Sequence, residues 1–441
     1  MRKSCRRGRT MVAVVSIALP LMAACDRPSQ LPDNAGYGPS PTLPAPSRSL
    51  IPTLKVAEAV GWKDGEVPTA APGLRVNAFA SGLDHPRWIH VLPNGDVLVA
   101  ESNAPGTREN KGIRGWFQER AMKKAGASTE SANRITLFRD ADADGVAETR
   151  NVFLSNLMSP FGMALVGSDF YVANADAIIR YPYVEGETSI SAAGVKLTDL
   201  PALPLNHHWT KNIIASPDGT KLYATVGSNS NVGENGMDIE EGRAAIWEVD
   251  IATGEKRIFA TGLRNPNGMG WEPETGVLWT VVNERDELGQ DLVPDYLTSV
   301  QDGGFYGWPY SYFGQHVDDR IKPPRPDLVA KAIVPDYGLG SHTSSLGLTF
   351  YTADRILQFR GGAVVGQHGS WNRNPPSGYK VIHIPFSGGT PSGAHQDVLT
   401  GFLDNEGKAR GRPVGVAVDR EGAILVADDV GNIIWRMIPA Q

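Results

Sequence analysis

Hydrophobic residues along this chain of 441 residues fall in short paired runs separated by turn residues, and the pairs recur. The clearest pair is Asn212 to Ala215 and Lys221 to Val226, joined by Pro217-Asp218-Gly219. Two such runs on either side of an Asp-Gly turn predict a β-hairpin. The arrangement returns at His85-Pro86-Arg87-Trp88-Ile89-His90 with Val97 to Glu101, and at Ser159 to Ala164 with Phe170 to Asn174. It returns again at Arg264 to Met269 with Leu278 to Asn283, and at Arg412 to Val416 with Ile424 to Asp428. A less regular copy joins Ser345 to Phe350 with Gly362 to Gly366. Six hairpins, with helical periodicity absent between most of them, predict an all-β fold, a six-bladed β-propeller. An insertion, Thr107 to Ser131, follows the first hairpin, and its middle, Trp116 to Lys124, predicts a short amphipathic helix, either a lid or a surface decoration.

A hairpin turn lies at one end of its strands, so the residues before the first strand and after the second meet at the other end. His207 and His208 are thereby brought beside Ser228-Asn229-Ser230-Asn231. With equivalent blades, His208, Arg264, Asn265, Asn283 and Arg412 face one central pocket.

The chain organisation is read as three parts. Residues 1–24 carry five basic residues (Arg2, Lys3, Arg6, Arg7, Arg9) and an apolar run from Met11 to Ala23 that is short for a membrane span, the pattern of an export signal. Ala23-Ala24-Cys25 resembles a lipoprotein signal, with Cys25 as the acylated residue, so the expected location is periplasmic, with contact to the membrane through a lipid anchor only. Residues 25–53 are rich in Pro, Ser and Ala and read as a tether, and 54–441 as the propeller. The two cysteines are Cys5 and Cys25, so the remainder has no disulfide and relies on its core. Removing the signal moves the formal charge from −6 to −11, which excludes nucleic acid as a natural partner.

Asp140-Ala141-Asp142-Ala143-Asp144-Gly145 alternates carboxylates ahead of a glycine, as calcium loops do. Asn151 stands where such a loop wants Glu, so the leading reading is an Asp-Gly turn on the rim opposite the pocket, with Asp140, Asp142 and Asp144 as a second metal candidate.

The rim loops also fall in a recognisable order. His208 and the Ser228 to Asn231 loop come first, then Arg264-Asn265-Pro266. Asn283-Glu284-Arg285-Asp286-Glu287 runs on to Gly304-Phe305-Tyr306-Gly307-Trp308-Pro309, and Gly369-Ser370-Trp371-Asn372-Arg373 and Arg410-Gly411-Arg412 follow. From about Ala71 to the C-terminus this order resembles the soluble pyrroloquinoline-quinone (PQQ) sugar dehydrogenases, particularly the sorbosone and pyranose branch. The resemblance implies oxidation of a sugar or sugar-derived aldehyde, with a quinone or cytochrome as the electron acceptor. It implies His208 as general base, suited by a pKa near working pH. Arg264 and Asn265 would polarise the quinone carbonyl. Asn231, Arg264, Asn265, Arg373, Arg410 and Arg412 would hold PQQ, whose carboxylates want cations. The backbone carbonyls of Glu284 and Arg285 would hold calcium. The chain departs from the pattern at Ser228, where the family places an Asp to orient the histidine; Asn229, Glu234 or Asp238 is expected to do that work, or the base is less activated. His207 adjoins His208, and the pattern alone does not choose between the two rings. Two other classes share parts of the pattern: a calcium-dependent lactonase-like hydrolase, which would want converging carboxylates, and a non-catalytic carbohydrate-binding propeller.

Overall fold

Each predicted hairpin becomes the inner half of a four-stranded antiparallel sheet, and six such sheets stand around a central channel. The structure, a computed structural model, describes residues 28–48, 55–105, 120, 123–126, 129–203 and 205–440. The export signal, Cys25 and six of the nine residues of the helix expected at 116–124 lie outside the described residues, and the other three, 120, 123 and 124, are helical.

Blade 1 comprises Pro86–Val91, Val97–Glu101, Arg134–Arg139 and Thr149–Leu154, in order from the channel outward. Blade 2 comprises Met163–Val166, Asp169–Ala173, Ala177–Pro182 and Val195–Asp199, and blade 3 Ile213–Ala215, Lys221–Val226, Ala245–Asp250 and Lys256–Thr261. Blade 4 comprises Pro266–Trp271, Leu278–Val282, Pro294–Ser299 and Tyr337–Ser341, and blade 5 Ser345–Phe350, Ala363–Gln367, Lys380–Ile384 and Gln396–Thr400. Blade 6 takes Pro413–Val418, Ile424–Asp428 and Ile433–Pro439 from the end of the chain and Leu74–Ser81 from its beginning. Its outer pair joins the two ends of the domain, with Asn77 opposite Arg436, and so closes the ring.

The second strands are buried along their whole length in blades 1, 4, 5 and 6, because neighbouring blades cover both faces. That is why they read as continuous apolar runs instead of alternating ones. Among the described residues the apolar core divides into six clusters, one between each pair of adjacent blades. Small residues in the first strands let the blades close around the channel. A Cβ on Gly347 would lie 2.1 Å from the Val414 carbonyl oxygen, and one on Gly268 2.5 Å from the Leu348 nitrogen.

The stretch read as a tether is corrected over 28–48, which lies docked on the propeller. Tyr37–Gly38 pairs with Gly338–Leu339 as a fifth strand of blade 4. The Tyr37 ring stacks on His395 at 4.0 Å and its hydroxyl donates to Gln367 (3.0 Å). Backbone pairing and one buried aromatic supply what the Pro/Ser composition lacks. Ala57 is already buried between blades 5 and 6, Thr69–Ala70 adds a fifth strand to blade 5, and the first four-stranded blade position is taken up at Leu74.

The Asp140 to Gly145 turn joins the third and fourth strands of blade 1, at the end opposite Glu101. Asp140, Asp142, Asp144 and Glu148 each bring a carboxylate oxygen within 4.8 Å of the others. Those carboxylates brace the turn: Asp140 accepts from the Gly145 N–H (2.8 Å), Asp144 from Val146 (2.7 Å) and Glu148 from Ala141 (2.8 Å). Among the described residues, no helix is long and apolar enough to cross a membrane.

Candidate active site

The rim opposite the hairpin turns gathers two groups of buried polar side chains. The first is built on blades 3 and 4. His208 Nδ1 lies 2.6 Å from the Ser228 carbonyl oxygen and 3.1 Å from its hydroxyl. A carbonyl only accepts, so Nδ1 carries the proton and Nε2 the lone pair, the tautomer a base requires. Ser228 therefore orients the histidine itself, largely through its backbone. The alternatives weighed from sequence do other work. Asn229 serves His207, through Oδ1 to the His207 N–H (3.1 Å) and its carbonyl to His207 Nδ1 (2.7 Å). Glu234 accepts from the backbone of Asn231 (2.9 Å) and Val232 (2.8 Å), and Asp238 is exposed. The carboxylate beneath this loop is Glu240, which accepts from the Asn229 N–H (2.7 Å) and the Ser230 hydroxyl. Lys211 is fully buried under the histidines, donating to the His208 carbonyl (3.2 Å) and to Asn206 (3.3 Å), and burial holds its pKa well below the ordinary lysine value.

Asn265 packs against this base. A Cβ on Gly227 would lie 2.3 Å from Asn265 Oδ1 and 2.6 Å from His208 Cβ, so only glycine fits between them. Asn265 Oδ1 is buried and makes no hydrogen bond. The Arg264 guanidinium donates to Asn231 Oδ1 (3.1 Å) and to the Glu284 carbonyl (2.7 Å) and stands 3.7 Å from Asp286. Asp286 also accepts from Asn372 (2.7 Å) and lies 3.1 Å from His342 Nδ1, whose Nε2 is 2.9 Å from the Gly289 carbonyl. Burial pulls the His342 pKa down, but Asp286 and the Gly289 carbonyl outweigh it, and the net shift is upward. His208, Asn231, Arg264 and Asn265 are thus brought together.

The Glu284 carbonyl, expected as a calcium ligand, accepts from the Arg264 guanidinium. Arg285 is fully buried in ion pairs with Glu284 (2.9 Å) and Asp318 (3.2 Å) beneath the loop.

The second group lies on blades 1, 5 and 6. Asp429 accepts from Arg87, lies 2.8 Å from His368 Nε2 and 3.5 Å from His85 Nε2, and is buried. Burial alone would raise its pKa, but the two imidazoles and Arg87 hold it well below the usual carboxylate range. Burial also lowers both imidazoles, His368 to about 4. Arg412 donates to the Tyr379 hydroxyl (2.7 Å) and lies over that ring. Beside it Asp428 accepts from the Arg412 N–H (2.8 Å) and Trp62 Nε1 (2.7 Å), and burial pushes its carboxyl up to about 6.

Two of the expected cofactor ligands are turned elsewhere. Arg373 donates to Asp291 (3.0 Å), Ser29 (2.9 Å) and the Gln290 carbonyl (3.0 Å), partners on an outer loop and the docked N-terminal stretch. Arg410 lies over the Trp62 ring, 3.7 Å from Glu66, and its side chain is 32% exposed. Sequence reasoning did not single out Arg87, His85, His342, His368, Asp429 or Glu240. His85 precedes Pro86 as Asn265 and Arg412 precede Pro266 and Pro413, so the repeat register carried a signal for it, whereas Arg87 follows the proline where Asn267 and Val414 stand.

Comparison with known proteins agrees with this fold. The chain is 22% identical over 431 residues to a PQQ-dependent pyranose dehydrogenase of Coprinopsis cinerea, covering 83% of this chain and 54% of that protein. It thus spans about half the length of that relative. It is 28% identical over 334 residues to an aldose sugar dehydrogenase of Escherichia coli, covering 72% of this chain and 82% of the relative. Among solved structures, the family AA12 enzyme of Trichoderma reesei superposes with a TM-score of 0.69 at 19% identity, covering 88% of this chain and 99% of that one. The PQQ domain of the Coprinopsis cinerea enzyme superposes at 0.68 with 21% identity, covering 87% and 100%. The TrAA12-like family model matches residues 68–299 and 329–437, and the chain belongs to that family.

Proposed function

We propose that this protein is an oxidoreductase that oxidises a sugar, of the aldose or sorbosone kind, with PQQ as cofactor. The observation that carries the reading is His208, with its proton pinned on Nδ1, packed against Asn265 and beside Arg264. The named relatives that depend on PQQ support it. The donor set suits a quinone tricarboxylate: buried guanidinium nitrogens of Arg87 and Arg412 lack partners. Arg264, Asn265 and Arg412 would hold the group, with Asn231 positioning Arg264.

PQQ, when bound, supplies a two-electron acceptor. His208 Nε2 takes the proton from the substrate hydroxyl as the C–H bond is broken. The Ser228 carbonyl keeps the ring in that tautomer and stabilises the imidazolium that forms. Arg264, fixed by Asn231, Glu284 and Asp286, holds positive charge where negative charge develops. Asp286 and Asp429 are each tied to an arginine and a histidine, which favours the oxidoreductase over the hydrolase alternative. Calcium belongs to this reading only through the resemblance, and titration in calcium against titration in chelator decides it.

The test is a titration of purified protein with PQQ followed by dye-linked oxidation of aldoses, osones and polyols. His208→Ala is expected to lower turnover roughly a hundredfold to ten-thousandfold and leave PQQ affinity nearly unchanged. A wild-type protein that bound no PQQ and hydrolysed lactones would overturn the reading.

A further inference from the structure

We propose that Arg87 is a cofactor-holding residue, taking a carboxylate of the quinone together with Arg412 in the role that the resemblance assigns to Arg373. The proposal rests on the PQQ reading above and concerns which cation of this chain serves it.

Three observations point to Arg87. The first is placement. The register of blade 1 shifts between Pro86 and Trp88, which leaves Arg87 outside the ladder at the rim. A bulge of this kind re-aims the extra side chain. The guanidinium carbon ends 5.9 Å from the centroids of both Phe161 and Trp209, and Trp209 follows the base His208 in the chain. Arg87 therefore links the base to the Arg412 side of the channel.

The second is unused donor capacity. Arg87 and Arg412 are permanent cations in an enclosed site, Arg87 against Asp429 and Arg412 with Asp428 on its backbone N–H. Arg87 Nε and Arg412 Nε are both buried without a hydrogen-bond partner. These are donors in search of an acceptor, and a carboxylate accepts from guanidinium forks with matched geometry.

The third is the loss of the alternative. Arg373 spends its donors on Asp291, Ser29 and Gln290, and Arg410 reaches outward to Glu66. Asp429 and His368, in contrast, fix Arg87 from below without occupying its Nε.

The experiment is a PQQ titration of the full protein, read by tryptophan fluorescence and by the rise in melting temperature at saturation. Arg87→Gln is expected to raise the Kd for PQQ roughly ten- to a hundredfold, the range of a lost charge-assisted contact. Arg87→Lys keeps the charge opposite Asp429 but not the fork, so its Kd rises by a smaller factor. Arg373→Gln shifts the Kd by less than about twofold, as a substitution away from the ligand does. If Arg87→Gln does not fold, Arg87→Lys decides: a wild-type Kd in that variant together with a large loss in Arg373→Gln overturns the proposal. A folded Arg87→Gln protein with wild-type affinity overturns it and leaves the PQQ reading standing. A wild-type protein that binds no PQQ overturns both.

Discussion

Ser228 stands where the resemblance leads one to expect a carboxylate, and it orients His208 with a backbone atom. A carbonyl pins the tautomer but carries no full negative charge, so the imidazolium formed in catalysis is less stabilised than beside an aspartate. The hydroxyl at 3.1 Å is the minor contact. Ser228→Ala is accordingly expected to lower kcat by less than about tenfold, the worth of one neutral hydrogen bond. Gly227→Ala is the severe change, because its Cβ would lie 2.3 Å from Asn265 Oδ1 and 2.6 Å from His208 Cβ. Displacing both groups by a fraction of an ångström is expected to reduce kcat on the order of a hundredfold. Steady-state kinetics on the two folded variants checks the order; equal effects would mean that the glycine is not holding the base and the amide in register.

At the level of elements, the propeller is shaped where its first strands depart from regular pairing. Register shifts fall between Pro86 and Trp88, Pro266 and Met269, Ser345 and Gly347, and Pro413 and Val416, all near the rim. A bulge re-aims the extra residue, and in three of the four a glycine (Gly268, Gly347, Gly415) lets the neighbouring blade approach. Gly347 is the tightest of these, 2.1 Å for a Cβ from the Val414 carbonyl. Gly347→Ala is expected to destabilise the fold by about 3 kcal/mol, an overpacking cost that backbone cannot relieve as a side chain can. Gly276→Ala, at a hairpin turn with φ +70° and open space around it, carries only the left-handed penalty of about 1 kcal/mol. Urea denaturation of the pair separates steric crowding from backbone conformation.

Across the whole molecule, the Asp429 cluster is a joint between blades. His85 belongs to blade 1, His368 follows the second strand of blade 5, and Asp429 follows the second strand of blade 6, whose outer strand closes the ring. Burial lowers the His368 pKa from 6.5 to about 4. Between those values the unfolded chain binds a proton that the folded chain does not, so this group's contribution is complete above 6.5 and is lost as pH falls toward 4. Glutamine in its place does not titrate. The stability difference between wild type and His368→Gln is therefore expected to be largest near pH 7 and to narrow on acidification, as measured by urea midpoints at several pH values. A gap that widened at low pH would mean that His368 charges readily in the folded protein.

The hairpins were legible because their signals are local: apolar runs, an Asp-Gly or Gly-containing turn, and a proline at the rim recur in register, and each becomes the inner half of a blade. The grouping of His208, Asn231, Arg264 and Asn265 followed from that repeat, since equivalent positions of equivalent blades must meet at one rim. What the tertiary structure decided was the partner of each long charged side chain. Arg373 is held by Asp291, 82 residues away, and by Ser29, 344 residues away, and nothing near it in the chain announces either. The docking of the Pro/Ser-rich stretch was hidden for the same reason, with Tyr37 bonded to Gln367 across 330 residues. Strand periodicity is written in neighbours along the chain, whereas a guanidinium selects its carboxylate through space, by distance and burial that exist only once the ring has closed.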